Sequence, residues 1–237
     1  YILESEEYLL ERCPEADREE FRQSIYGILD FMSHYENADG LLQDVPGWNF
    51  VEWSEANDWV KDVNYPTSFL YSRALEAAYR LYGDTAAMEK AERIRRRAAE
   101  LAFDGEVFCD HAVMQDGVLV NQPHISEVCQ YYAILFGGVS LAEPRYAKLL
   151  HYVKNGFADF QRKDCELVRI NAFIGLYLRM EVLRRLGEYR LILGELGDFF
   201  GGMVEKTGTL WEYRQYKGSY DHGFASYIAS VIHEAAR

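Results

Sequence analysis

One carboxylate in an aromatic setting is the first candidate for chemistry. Glu212 lies between Trp211 and Tyr213, and His222 follows it in a second aromatic segment. Aromatic faces stack on the C–H surfaces of a pyranose, and their low polarity raises the pKa of a nearby carboxyl group. The pattern indicates a general acid or base that acts on a sugar. The alternative is an ordinary helix-end or ion-pair residue.

A second cluster, over residues 48–59, alternates aromatic and acidic side chains. It contains three of the four tryptophans of the chain together with three carboxylates. This pattern predicts a sugar-binding wall with substrate contacts from Trp48, Glu52, Trp53 and Asp58. The alternative interpretation is that the tryptophans seal the mouth of a barrel while the carboxylates face water.

Other kinds of catalytic site have weaker signals. His124 and Glu127 are three residues apart, as in a metal-binding helix turn, and Asp221-His222 could be part of a metal site or a catalytic triad. The sequence has no His-x-x-x-His pair, however. Pro123 places His124 at a helix entrance, where capping or a hydrogen bond to substrate is commoner than metal ligation. Gly-x-Ser-x-Gly and the glycine-rich nucleotide-binding patterns are also absent. We therefore expect neither a metal nor a cofactor.

Composition bounds the class of protein. The 237 residues are 49% hydrophobic and 27% charged, which fits one helical domain over 1–237 with a substantial core. A net charge of −13 argues against nucleic acid, and no segment approaches the roughly 18 apolar residues of a membrane span. The four cysteines are widely spaced, as expected of free thiols. We expect a cytoplasmic protein, or a secreted one if a leader precedes Tyr1.

Helical periodicity dominates the elements that would position these residues. Apolar residues recur at helical spacing over Pro66–Tyr82, Gly83 can end that helix, and Asp84 can cap a second one that runs to about Leu101. Asp116-Gly117 predicts a β-hairpin. Further helices are predicted at Pro14–Tyr35, Ser126–Phe136, Pro144–Phe157, Glu166–Leu186, Glu188–Val204 and Gly223–Ala236. Paired helices with long, polar connections suggest an all-α fold, an α/α toroid with a small β-hairpin insertion.

Several of these segments resemble the α-L-rhamnosidases of glycoside hydrolase family 78. Residues 50–53 (Phe-Val-Glu-Trp) resemble the family's Phe-x-Asp-Trp loop, and residues 74–84 resemble the helix and turn that follow. Residues 208–212 resemble the segment with its general base, and 219–224 its His-containing helix entry. The resemblance implies a six-hairpin barrel and an inverting glycosidase in which Glu212 is the general base, with Trp211 and His222 beside it as substrate-binding residues.

One part of the family pattern is missing. The family's general acid lies in an Asp-rich upstream segment containing Arg-Asp-Glu, and the helical stretch 16–19 does not match it. The resemblance therefore implies the C-terminal part of a larger barrel, or a relative whose acid is replaced by Glu52 or Asp58. A noncatalytic carbohydrate-binding or helical interaction module and another α/α-toroid sugar enzyme are the alternatives. Because an incomplete toroid exposes apolar faces, we expect a homodimer or additional N-terminal domains as partners.

Overall fold

Helices provide most of the regular structure in the computed structural model, which describes residues 1–215 and 217–236. Tyr216, in the segment between Glu212 and His222, and Arg237 lie outside the described residues. The α-helices are α1 (Ile2–Glu7), α2 (Glu19–Ser33), α3 (Tyr65–Tyr82), α4 (Thr85–Ala102), α5 (Glu127–Phe136), α6 (Ala147–Lys154), α7 (Ile174–Arg185), α8 (Tyr189–Thr207) and α9 (Ile228–Ala235). Short 3₁₀ turns lie at Glu55–Trp59, Pro144–Tyr146 and Gly223–Tyr227, and a π-helical turn at Tyr8–Arg12 continues α1.

Local capping signals define the α3–α4 hairpin. The Asn64 side chain accepts the Thr67 N–H at 2.9 Å, and Gly83 ends α3 in the left-handed region with φ of +71°. The Asp84 carboxylate then accepts the Ala87 N–H at 3.0 Å at the start of α4. The two helices are therefore joined by a minimal connection, which confirms the sequence prediction.

The strands form two small sheets beside the helices. They are β1 (Val63–Asn64), β2 (His111–Gln115), β3 (Val118–Asn121), β4 (Ile125–Ser126) and β5 (Leu167–Val168). The first three make an antiparallel sheet in the order β1-β2-β3, and β4 pairs with β5 in parallel. Asp116 and Gly117 both have positive φ in the turn between β2 and β3, so the predicted hairpin is confirmed.

Two predicted helix starts are wrong. Helix α2 begins at Glu19 rather than Pro14, since the Asp17 side chain caps the Glu19 N–H at 2.9 Å. Helix α7 begins at Ile174 rather than Glu166, because Leu167–Val168 pairs with β4. This pairing joins residues that are distant in sequence, and it overrides the helical preference of the segment.

The core lies between α3, α5 and α7 and the small sheets. Phe69, Phe108, Tyr131 and Tyr146 are among its largest fully buried side chains. All four cysteines are free thiols, as expected. None of the helices described here is long and apolar enough to cross a membrane.

Candidate functional site

A cavity of about 1020 Å³ brings three distant segments together. One wall comes from Trp53, Ser54, Glu55 and Trp59, and a second from residues 164–171 around β5. The third comes from Tyr213, Arg214, Gln215 and Lys217, with Pro123 and His124 at one side. The aromatic lining residues are Trp53, Trp59 and Tyr213. The charged lining residues are Glu55, Asp164, Glu166, Arg169, Arg214 and Lys217. Flat rings beside groups of both charges suit a polyhydroxylated ligand, which has apolar C–H faces and hydroxyls around its edge.

Glu52 is buried outside the cavity lining and fixes the position of the loop that carries Trp53. Its side chain is fully buried, and its carboxylate accepts the N–H groups of Trp53 at 2.7 Å, Gly175 at 2.5 Å and Asn171 at 3.5 Å. Burial raises the pKa of Glu52 to about 7, although the three N–H donors lower it. The Glu52 carboxylate therefore caps the first turn of α7, and its contact with a substrate stays a prediction.

Asn171 connects all three walls. Its side-chain N–H group donates to the Trp53 carbonyl at 3.1 Å, and its side-chain oxygen accepts the Arg214 N–H at 3.2 Å. Asn171 also lines the cavity, and 6% of its surface is exposed. The loop with Trp53 and the segment after Glu212 are thus fixed to a single side chain.

A row of aromatic rings runs from Trp48 to His222. Ring centroids lie 5.7 Å apart between Trp48 and Trp53, 6.3 Å between Trp53 and Phe173, and 4.3 Å between Phe173 and His222. Trp48 is 71% exposed, so its ring is available to a ligand. The structure therefore brings the rings of Trp48, Trp53 and His222 into one row, and their contact with a substrate stays a prediction. Phe173 links them, and its role was not predicted, because in the sequence it is one of many apolar residues.

Glu212 lies next to the cavity wall and turns its carboxylate onto its own loop. One oxygen, Oε2, accepts the Ser219 N–H at 3.0 Å, and the Glu212 N–H donates to the Ser219 carbonyl at 2.9 Å. The side chain is half-buried, while its neighbours Tyr213 and Arg214 line the cavity. Glu212 is thus held at the edge of the site by a two-bond bridge to Ser219.

Two other predicted contacts lie away from the cavity lining. Trp211 is buried and donates from its ring N–H to the Thr207 hydroxyl at 2.7 Å, so it anchors the loop to the end of α8. Asp58 is exposed on the 3₁₀ turn Glu55–Trp59, and Glu55 of the same turn lines the cavity instead. Residues three apart in a 3₁₀ turn lie on the same face, so the turn by itself does not separate Glu55 from Asp58.

A charge network lines a smaller cavity of about 210 Å³, and its Arg169 lines both cavities. Glu127 pairs with Arg169 at 2.8 Å and accepts the Tyr131 hydroxyl at 3.0 Å. Arg179, 3% exposed, binds Glu195 in a bidentate pair at 2.5 Å and donates to Tyr131. Burial raises the pKa of Glu127, and the two arginines lower it. These partners satisfy the network internally, which favours a structural role.

Two histidines meet beside the cavity. His111 Nε2 and His124 Nδ1 are 2.7 Å apart, and Trp59 stacks on His124 with ring centroids 4.5 Å apart and an interplanar angle of 2°. Burial, followed by the neighbouring His124, lowers the pKa of His111 to about 4. In the part of the chain that the structure describes, no group of three or more His, Cys, Asp or Glu side chains is arranged to hold a metal ion.

The fold is similar to part of a known glycosidase. No protein-family model and no curated protein matches the sequence. The solved structure of a GH78 family rhamnosidase of Bacillus sp. GL1 matches with a TM-score of 0.72 and 20% identity. The match covers 98% of this chain and 25% of that chain, so the present chain spans about a quarter of the length of that rhamnosidase. The resemblance indicated by the sequence motifs is thus confirmed at the level of the fold.

Proposed function

We propose that this chain belongs to a glycoside hydrolase that releases terminal α-L-rhamnose, or a similar sugar, from glycosides. The observation that carries the proposal is the cavity of about 1020 Å³, in which Trp53, Trp59 and Tyr213 stand beside acidic and basic side chains. Aromatic rings bind the C–H faces of a sugar, and charged groups orient its hydroxyls. The shared fold with a GH78 family rhamnosidase supports rhamnose as the sugar.

In the proposed mechanism Glu212 is the general base. Its Oε2 is anchored by the Ser219 N–H, and no described residue forms a hydrogen bond with its Oε1, which leaves that oxygen to orient and deprotonate a water molecule. An acid on the opposite side of the sugar then protonates the departing oxygen. Inversion places the two carboxyl groups roughly 6.5–9.5 Å apart, so that the water fits between base and anomeric carbon.

We further propose that the helical hairpins α3–α4 and α7–α8 are part of an α/α toroid that other protein surfaces complete. Ile28 and Phe31 on α2 are 39% and 48% exposed, which is consistent with a partner helix, from a second copy or from additional domains, packing there. In that arrangement the general acid comes either from the partner surface or from a carboxylate that lines the cavity, such as Glu55.

A noncatalytic carbohydrate-binding module is the second candidate function. It is favoured by the orientation of Glu212, whose carboxylate bonds to Ser219 while Tyr213 and Arg214 line the cavity. It is also favoured by the state of two other carboxyl groups. Burial raises the pKa of Glu52 and Glu127, but backbone N–H groups or arginines already occupy both, so neither is free to act on a sugar. Such a module would keep the aromatic wall and bind sugar without turnover.

Calorimetry with L-rhamnose and hydrolysis of 4-nitrophenyl α-L-rhamnopyranoside test both candidates on the same chain. We expect binding, and turnover that falls by about 10²-fold or more in Glu212→Gln with the affinity retained. Glu205→Gln, an exposed glutamate near the end of α8, is the matched control. Near-normal turnover in Glu212→Gln would exclude it as the base. Binding without product would favour the module, and no heat with any sugar would exclude both.

A further inference from the structure

The histidine pair at the cavity is built as one flat unit. The rings of His111 and His124 have an interplanar angle of 3°, with centroids 4.9 Å apart and the facing nitrogens 2.7 Å apart, so the rings lie nearly in one plane. Trp59 lies parallel to both. Two backbone hydrogen bonds hold the main chain of the pair in place. The His124 carbonyl accepts the Asp110 N–H, and the His111 carbonyl accepts the Gln122 N–H.

A hydrogen bond between the two facing nitrogens needs one proton, and the surroundings of His111 decide which ring carries it. His111 is 8% exposed, and its other nitrogen, Nδ1, is buried without a partner among the described residues. If His124 donated from Nδ1, neutral His111 would carry its own proton on that buried Nδ1, as an unsatisfied donor. If His111 donates from Nε2, its Nδ1 is an unprotonated acceptor. Buried unsatisfied donors are the rarer and costlier case, so His111 is the donor.

This arrangement fixes the proton on the remaining nitrogen of His124. With its Nδ1 accepting from His111, neutral His124 carries its proton on Nε2, on the opposite edge of the ring. His124 lines the cavity together with Trp59, and no described residue forms a hydrogen bond with its Nε2. The low pKa of His111, about 4, keeps that ring neutral near pH 7, so it has a single proton to donate.

We propose that His111 is a positioning residue that fixes His124 as a hydrogen-bond donor, through its Nε2–H, to an oxygen of the sugar bound beside Trp59. The proposal rests on the carbohydrate-binding function proposed above and adds a specificity determinant to it. A fixed donor selects ligands that place an acceptor oxygen at that point, and it disfavours analogues in which that hydroxyl is missing, because the N–H then loses its partner.

A metal site is the competing interpretation of two neighbouring histidines. At 2.7 Å the facing nitrogens share a proton and leave no space for an ion between them. No described carboxylate or thiol joins them to form a set of three ligands. The geometry therefore fits a tautomer-fixing hydrogen bond rather than coordination.

Nitrogen NMR of the ¹⁵N-histidine-labelled chain tests the tautomer without any ligand. Each ring shows whether Nδ1 or Nε2 carries the proton, and His124→Phe and His111→Phe assign the two signals. We expect His124 to be protonated on Nε2, and we expect the population protonated on Nδ1 to rise in His111→Phe. A wild-type His124 protonated on Nδ1 would overturn the proposal, and His124→Gln assigns the His124 signal if His124→Phe does not fold.

Calorimetry with L-rhamnose then tests the consequence for binding. We expect His111→Phe to weaken the affinity about fivefold, the effect of one neutral hydrogen bond. His111→Gln should restore it, because the glutamine amide donates from the same position. His34→Gln, an exposed histidine after α2, is the control. If the wild type binds and His111→Phe binds equally well, the positioning role fails alone. If the wild type binds no sugar, the proposed function fails with it.

Discussion

The Glu52 carboxylate and the backbone N–H of Gly175 lie 2.5 Å apart and connect the Trp53 loop to the first turn of α7. The same oxygen accepts from Asn171, and the other oxygen accepts from Trp53. A carboxylate that is fully buried behind the cavity thus determines where an aromatic wall of the cavity stands. The proposed ligand binding is therefore coupled to stability at this point.

Replacing Glu52 by alanine is expected to lower the free energy of unfolding by about 3 kcal/mol, because it leaves buried N–H donors of Trp53 and Gly175 unsatisfied. Urea denaturation measures the change. Glu55→Ala, an exposed glutamate on the adjacent turn, should stay within about 0.5 kcal/mol of the wild type. An unchanged midpoint in Glu52→Ala would show that the capping contact contributes nothing.

A substitution at Gly175 tests the contact between Glu52 and the first turn of α7 from the side of the helix. A Cβ at this position would lie 2.0 Å from Glu52 Oε2 and 2.6 Å from Ile170 Cγ2, so Gly175→Ala forces the carboxylate out of its place. We expect a loss of about 2 kcal/mol or more in the free energy of unfolding. Gly197→Ala in α8 is the matched control, because nothing lies within 4 Å of its Cβ. That control should gain about 0.5–1 kcal/mol from helix propensity, and equal effects of the two variants would contradict the steric argument.

Asn171 is expected to affect binding more than stability. Asn171→Ala removes the bonds to the Trp53 carbonyl and the Arg214 N–H, so two walls lose their common attachment. We expect the affinity for L-rhamnose to fall about tenfold. Combining Asn171→Ala with Trp53→Ala in a double-mutant cycle checks the mechanism. Additive effects of the two substitutions would contradict the claim that Asn171 acts through the Trp53 wall.

The helical hairpins could be predicted because their signals are local. Asn64, Gly83 and Asp84 lie within a few residues of the groups that they cap or terminate, so the boundaries of α3 and α4 are contained in short stretches of sequence. The start of α7 could not be predicted in this way. It depends on β4, at Ile125–Ser126, and on Glu52, neither of which is near Ile174 in the chain.

The candidate site also combines features that local sequence predicts with features that depend on distant residues. The aromatic concentrations around Trp53 and Glu212 marked two of the three walls, and the structure brings both to one cavity. Residue types alone did not separate Glu52, which caps a helix, from Glu55, which lines the cavity, since both are glutamates within two residues of Trp53. The orientation of a side chain depends on backbone geometry and on distant donors, which sequence spacing does not encode.

Asp110 gives a prediction with a defined pH dependence. Its side chain is fully buried and accepts from both the N–H and the hydroxyl of Ser126, each at 2.6 Å. Burial raises its pKa from an ordinary value of 3.8 to about 7, against the lowering effect of the Ser126 bonds. In the window between these values the folded state holds a proton that the unfolded state has released. Stability contributed by this group is therefore complete below pH 3.8 and is lost as pH rises towards 7.

Asp110→Asn removes that titration, so the comparison of the two proteins isolates it. We expect the free energy of unfolding of the wild type, relative to Asp110→Asn, to fall by up to about 1.4 kcal/mol per pH unit between pH 4 and pH 7. Urea denaturation at half-unit intervals measures the difference. Asp116→Asn makes the same substitution at an exposed turn and is the matched control. A difference that rises with pH in this window would mean that the Ser126 bonds outweigh burial and hold Asp110 as a carboxylate.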